Sequence, residues 1–369
     1  MNILLIEPFY GGSHKLWADN LKKYSSHSVT LLTLSAHHWK WRMHGGAITL
    51  AKKFVALNEQ YDLILCSDML DISTFQALTR DLTWNIPFAL YFHENQIMYP
   101  RADDDVHLKR DRNYGFINFK SALCADYVFF NSHYHRNGFL QELPLFLKAF
   151  PDYNELDLVK AIEKNSKVLP LFLDLKALDQ YKPEQKKDSK FPVILWNHRW
   201  EYDKNPEQFF NALMALKKID VKFKLVVLGQ KFAQSPEIFE VALTALNDRI
   251  LHWGYAMSYK DYAHWLWKSD IIPVTSNQDF FGGSVIEAMY CGTIPLLPDR
   301  LAFPEHIPEK YHNTYLYQGN EFYKKLEDLI LNWNSHNPAL FTQKALQYDC
   351  QNLIGNYDLE LASMKKKSI

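Results

Sequence analysis

At 369 residues the chain exceeds what one hydrophobic core usually organises, and two domains of ordinary size are expected. Hydrophobic residues at 47% and charged residues at 22% exclude a disordered chain, and a formal net charge of −1 excludes a globally basic nucleic-acid binder while leaving room for a local patch. Cys66, Cys124, Cys291 and Cys350 lie far apart with no C-x-x-C, which argues against a disulfide scaffold or a thiolate metal site and for a reducing compartment.

The opening residues, MNILLIEPFYGG, carry no basic leader, and their apolar run is too short for a signal peptide or a membrane span. No later segment reaches membrane-spanning length, so a cytoplasmic protein without membrane insertion is expected, beginning at its first strand. Apolar β-type runs then alternate with segments of helical period: NILLIE, HSVTLLTL, YDLILCSD, IPFALYFH and DYVFFNS. That alternation predicts βα units and a parallel sheet buried on both faces, a Rossmann-like domain over residues 1–178. After KVLPLFLDL the stretch DQYKPEQKKDSKFP, Asp179 to Pro192, is rich in Pro and Lys and reads as a linker and hinge. The pattern restarts with PVILWNHR, FKLVVLG, RILHWGY, DIIPVTS and TIPLLPD, predicting a second Rossmann-like domain over residues 191–345. From Glu321 onward the chain reads as helices, and residues 346–369 form a helix able to cross back to the first domain. No solenoid repeat is present, and nothing specifies an oligomeric state. The expected fold class is α/β, with two Rossmann-like domains facing each other across a cleft, and the loops to search follow the strands.

After the first strand, Gly11 and Gly12 let backbone approach a ligand, and the helix from around Ser13 and His14 offers free N–H groups for phosphate or a sugar oxygen. The plainer reading is a strand-to-helix turn capped by Ser13. After the fourth strand, His93, Glu94, Asn95 and Gln96 form a dense polar quartet suited to a polyhydroxy substrate, with a hydrogen-bonded loop anchor as the structural alternative. Asp103, Asp104 and Asp105 resemble a metal-binding run but read better as a solvated turn. WNHRWEYDKNPEQFF supplies Arg199 and Lys204, two cations able to reach one diphosphate, ahead of a helix start at Asn205-Pro206. Surface salt bridging is the alternative there. In SNQDFFGGSVIEAMYCG, a strand is followed by the loop from Asp279 to Gly283 and a helix whose first turn holds Gly283 and Ser284 after Gly282. Asp279 before the helix and Glu287 about one turn in could both face a ligand on the helix N-terminus, where amides hold phosphate and a carboxylate accepts ribose or hexose hydroxyls. Alternatively, Glu287 faces solvent and Asp279 caps the helix.

DFFGGSVIE, Asp279 to Glu287, resembles the carboxylate motif of retaining nucleotide-sugar glycosyltransferases of the GT-B fold, with Asp in place of the more usual first Glu. IEPFYGGSH, YFHENQ, ADYVFFNS, WNHRWEYDKNPE, WGY and DFFGGSVIEAMYCGTIPLLPDRLAFPE together resemble the glycosyltransferase-like family that includes the tRNA-queuosine α-mannosyltransferases, over nearly the whole chain. The resemblance implies that Glu287 holds the donor ribose, Arg199 and Lys204 the diphosphate, and Asp279 the transferred sugar. It further implies that His93 lies near that sugar and the Gly11 to His14 loop near acceptor or sugar. It implies GDP-mannose as donor, queuosine in tRNA as acceptor, and same-face transfer in which the departing diphosphate helps deprotonate the acceptor. No metal or other cofactor is then required. Charge growing on the diphosphate would be met by Arg199, Lys204 and helix amides, with domain closure excluding water.

Two stretches mix cations with aromatics in a way that suits RNA: HHWKWRMHGG, with Trp39 and Trp41, and HLKRDRNYGF, with Lys109, Arg110, Arg112, Tyr114 and Phe116. Core or interdomain packing is the plainer reading of both. The competing functions are a GT-B transferase with another donor and a lipid, glycan or small-molecule acceptor, and a non-catalytic nucleotide-sugar or RNA-binding protein. The presence of Arg199, Lys204 and Glu287 speaks against a decayed site.

Overall fold

A computed structural model describes residues 1–99, 112–184, 190–231 and 235–366. The chain divides into two compact units, residues 1–173 with 350–369, and residues 174–349. The first unit runs β1 (Asn2–Tyr10), α1 (Gly12–Tyr24), β2 (Ser28–Ser35), α2 (Trp39–Leu57), β3 (Leu63–Ser67), α3 (Ile72–Thr83), β4 (Phe88–Phe92), α4 (Asn113–Cys124), β5 (Tyr127–Phe130), α5 (His133–Leu147), α6 (Leu158–Asn165) and β6 (Ser166–Val168). The second runs β7 (Val193–Asn197), α7 (Pro206–Lys218), β8 (Lys224–Leu228), α8 (Ile238–Ala245), β9 (Ile250–Gly254), α9 (Tyr259–Lys268), β10 (Ile271–Pro273), α10 (Gly283–Tyr290), β11 (Ile294–Pro298), α11 (His312–Tyr315), β12 (Leu316–Tyr317), α12 (Glu321–Leu331) and α13 (Ala339–Leu346). The last helix, α14 (Cys350–Ala362), belongs to the first unit.

Each unit holds one six-stranded sheet, in the orders β2-β1-β3-β4-β5-β6 and β12-β11-β10-β7-β8-β9, and every strand pair is parallel. Strands β3, β4, β7 and β11 are buried at every residue, because helices cover both sheet faces and leave no side for polar alternation. The order reverses once in each sheet, between β1 and β3 and between β7 and β10. At such a switch point the connecting helices diverge to opposite faces, which opens a crevice beyond the strand ends.

The expected linker is corrected. The units divide after Leu173, whereas Asp179 to Lys182 is bound to the second unit. Leu175 and Leu178 are buried there, Trp267 Nε1 donates to the Leu178 carbonyl at 2.9 Å, and the Tyr290 hydroxyl donates to Asp179 at 2.8 Å. Residues 185–189 of that stretch lie outside the described residues. Helix α14 is tied to the first unit by buried Tyr357 and Leu361 and by Asp358, whose carboxylate accepts from the Ser25 and Ser26 hydroxyls at 2.6 and 2.7 Å. Burying each such large side chain contributes roughly 1.5–3 kcal/mol.

Candidate active site

At the β1/β3 switch point of the first unit, the apolar run of β1 is interrupted by a carboxylate. Glu7 is buried; its Oε1 accepts from the Phe9 amide at 2.8 Å and its Oε2 pairs with His14 Nδ1 at 3.0 Å. His14, in the first turn of α1, lies with its ring 4.2 Å from that of His93, which follows β4. Trp17 and Tyr91 close on the same ring at 4.8 and 4.9 Å. The His93 amide donates to Asp68 Oδ1 at 2.8 Å, and its buried Nε2 has no hydrogen-bond partner among the described residues. Burial pushes His14 down, but the Glu7 carboxylate outweighs it and, with Asp68 and Glu94, lifts His14 to about 9. Burial, then the His14 charge and His135, hold His93 well below its ordinary value. Burial pushes the Asp68 carboxyl up to about 8, against the pull of His14. At neutral pH the unit therefore presents a cationic His14 beside a neutral His93.

At the β7/β10 switch point of the second unit, two loops are stitched together. The Thr275 hydroxyl donates to the carbonyls of Lys204 and Asn205, both at 2.9 Å, and the Asn277 amide donates to the Asp203 carbonyl at 2.7 Å. The Lys204 ammonium is buried among the Gln278 carbonyl at 2.6 Å, Asp203 at 3.1 Å and Asp279 at 3.5 Å. Burial alone would raise the Asp279 carboxyl, but Lys204, His198, the Phe281 amide and His306 hold it below its ordinary value. His198, buried beside Lys204, is pushed down to about 3, mainly by burial. Gly282 caps α10 with φ of 87°, a conformation that disfavours a side chain, and no side-chain cap covers the helix start. One turn in, half-buried Glu287 accepts from the Tyr262 hydroxyl at 2.6 Å, which itself accepts from Asn197 Nδ2 at 2.9 Å. Burial raises Glu287 to about 7, and the tyrosine hydroxyl only partly opposes it.

The predicted residues divide accordingly. His93, His14 and Glu94 share one electrostatic cluster, while Gly12 and Ser13 are exposed. Ser13 does not cap α1; Gly11 holds the cap position in extended backbone. Asn95 is turned inward as a loop anchor: Oδ1 accepts from the Ile97 and Met98 amides at 3.1 and 2.8 Å, and Nδ2 meets His135 Nε2 at 2.9 Å. The Gln96 amide is held by Asn118 at 2.8 Å, and its Nε2 approaches Glu94 at 3.4 Å. Lys204, Asp279, Gly282, Gly283, Ser284 and Glu287 line one switch point. Arg199 in contrast has an exposed side chain paired with Glu201 at 3.1 Å. Asp103 to Asp105, with Lys109 and Arg110, lie outside the described residues.

Residues 2–173 match the family model described as tRNA-queuosine alpha-mannosyltransferase N-terminal, and residues 179–342 match glycosyl transferases group 1. A protein of Drosophila melanogaster, tRNA-queuosine alpha-mannosyltransferase, is 32% identical over 333 residues, covering 88% of this chain and 86% of that one. The chain belongs to this glycosyltransferase family. Among solved structures, Anabaena HepE in complex with UDP aligns with a TM-score of 0.69 at 18% identity, over 99% of this chain and 100% of that one. Sucrose-phosphate synthase of Thermosynechococcus elongatus aligns at 0.71 and 14%, with the same coverage. These likenesses fix the two-domain GT-B fold. No helix among the described residues is long and apolar enough to cross a membrane.

In this glycosyltransferase, Glu7, His14 and His93 also offer one metal-type donor atom each, all within 4.8 Å of one another. The His14 Nδ1 that would bind a cation is engaged with Glu7 and stays protonated to about pH 9, so a cation must displace that proton. Glu7, Asp68, His198 and Tyr262 were missed in the sequence reading. A carboxylate set within an otherwise apolar run is a signal that could have found Glu7; nothing near Tyr262 marks it. Of the aromatic-basic stretches, Tyr114 packs on Trp39 and His44 at 5.2 and 5.0 Å, Phe116 on Phe119 and Phe150 at 5.7 and 5.4 Å, and Arg112 donates to the Ala149 carbonyl at 2.7 Å.

Proposed function

We propose that this enzyme moves mannose from GDP-mannose to queuosine in tRNA, with retention at the anomeric carbon, in the cytoplasm. The observation that carries the reading is the 32% identity, across 88% of the chain, to a tRNA-queuosine alpha-mannosyltransferase. The donor is assigned to the β7/β10 switch point: Glu287 accepts ribose hydroxyls, the amides at Gly283 and Ser284 meet phosphate, and Asp279 meets the hexose. Arg199 supplies an exposed guanidinium to the diphosphate. Lys204, with its ammonium held by three acceptors, acts by keeping Asp279 charged and by its field.

In the transfer, the bond from the anomeric carbon to the diphosphate oxygen breaks and its electrons stay on GDP. The acceptor hydroxyl oxygen bonds to that carbon from the same face, and its proton passes to the departing diphosphate. Neutral His93 hydrogen-bonds the hexose. No metal enters these steps. Metal-free incubation with GDP-mannose and queuosine-containing tRNA, followed by nucleoside mass analysis, should give a hexose adduct that Glu287→Ala fails to make. No adduct from the native enzyme, with GDP-mannose still bound, would refute the acceptor assignment.

A further inference from the structure

Between Asp19 and Glu59 the chain has no carboxylate, yet it carries Lys22, Lys23, Lys40, Arg42, Lys52 and Lys53 with His27, His37, His38 and His44. In a protein with 42 acidic residues among 369 and a net charge of −1, that is a strong local asymmetry. The segment folds as the end of α1, the edge strand β2 and the whole of α2. One side of α2 is core, through Met43, Ala47, Leu50 and Phe54, while Lys40, Trp41, His44, Ile48 and Lys52 form an exposed strip. Asp358 of α14 reaches the segment only at Ser25 to His27, before β2 begins. Among the described residues no ion pair touches α2. Arg42 Nε and Lys53 Nζ spend donors on the Ser35 and Thr33 carbonyls at 3.0 and 3.3 Å, which braces the helix against the sheet edge.

Trp41 is 64% exposed, and its indole is seated on Gly45, where a Cβ would come within 3.1 Å of the ring. The missing side chain thus gives the ring a floor and leaves the rest of it to solvent. The core side of the start of α2 lies near the His14 and His93 cluster. A Cβ on Gly11 would collide with that of Ala36 at 2.3 Å, and Phe9, whose ring lies 6.1 Å from His14, packs in one cluster with Trp39, Met43 and Tyr114.

We propose that this face of α2 is the docking surface for the RNA that carries the acceptor nucleotide, with Lys40 and Lys52 on backbone phosphates and Trp41 stacked on an unpaired base. It rests on the tRNA reading above. Charge complementarity selects the occupant: an acid-free basic strip with a seated, exposed indole fits phosphate spacing and base stacking, whereas a lipid surface would call for a wider apolar face.

The test measures binding of a tRNA transcript lacking queuosine, across salt concentrations, to the native enzyme, Lys40→Ala/Lys52→Ala and Trp41→Ala. The double variant should lower the slope of log affinity against log salt by roughly 1.4–1.8. Trp41→Ala should weaken binding roughly 5- to 150-fold, with Trp41→Phe recovering part. All three side chains are exposed, and GDP-mannose binding, unchanged in each variant, reports an intact fold. Native affinity and slope in both α2 variants would overturn the proposal, while adduct formation on queuosine-tRNA would leave the transferase reading standing. Failure of the native enzyme to bind this transcript at any salt would overturn the docking proposal, and absence of the adduct on queuosine-tRNA as well would overturn both.

Discussion

The carboxyl of Glu287 changes charge near neutrality, which makes donor binding depend on pH. Burial lifts it to about 7, and the Tyr262 hydroxyl at 2.6 Å holds it from rising further. A ribose hydroxyl donating to an ionised carboxylate makes a hydrogen bond about twice as strong as to a neutral carboxyl, an added ~1 kcal/mol. Affinity for GDP-mannose should therefore rise roughly 4-fold between pH 6 and pH 8.5. Tyr262→Phe removes a hydrogen bond that favours the ionised form, so the midpoint should move up by about one pH unit. Glu287→Gln should bind weakly with no such rise. Calorimetric titration of the three proteins from pH 5.5 to 8.5 checks this, because both phosphates of a sugar-linked diphosphate stay ionised throughout. A Glu287→Gln profile that follows the native one would refute the reasoning. Stability has the opposite sign: a raised carboxyl contributes fully below the ordinary carboxylate range, and that contribution is lost as pH rises through about 7. Glu287→Gln should thus exceed the native enzyme at pH 8.5 by about 1–2 kcal/mol, discounted for partial exposure.

His14, raised to about 9, contributes stability that is complete below its ordinary value and lost as pH climbs through about 9; the raised carboxyl of Asp68 works in the same direction. Urea midpoints of the native enzyme should fall between pH 6.5 and pH 10 by an amount worth about 3 kcal/mol for His14, and Glu7→Gln should flatten that fall. Lys204→Met strands Asp203 and Asp279 without their cation and should cost roughly 3–5 kcal/mol in urea unfolding. Adding Asp279→Asn should return part of it, since the two sites share one network. Dialysis against EDTA should leave the rate of hexose transfer unchanged, and a loss restored by one divalent ion would refute the metal-free reaction.

Strands β1 to β5 and β7 to β11 were legible because each is built around a mostly apolar run, and β3, β4, β7 and β11 are buried at every residue, as a parallel sheet covered on both faces demands. Strand β12 was not, since Leu316–Tyr317 is too short to form a run. The polar stretch after residue 178 was read as linker because composition does not register that Asp179 bonds Tyr290 or that Trp267 holds Leu178. Asn95 illustrates the same limit within a motif. It sits in a polar quartet in sequence, but two loop amides and His135 consume its side chain.

What the sequence determined by itself was the set of loops at the strand ends, the carboxylates and cations they carry, and the acid-free stretch from residue 20 to 58. Chain-local pattern suffices there, since a strand's apolar run fixes where its polar loop begins. The tertiary structure decided which of those charges are spent. Lys204 lies buried among acceptors while Arg199 stays exposed, and Glu287 is tuned by a tyrosine 25 residues away. His93 is kept neutral by burial first, and then by a cation that Glu7 stabilises. Burial and through-space charge set protonation, and both depend on neighbours that the order of residues along the chain does not place together.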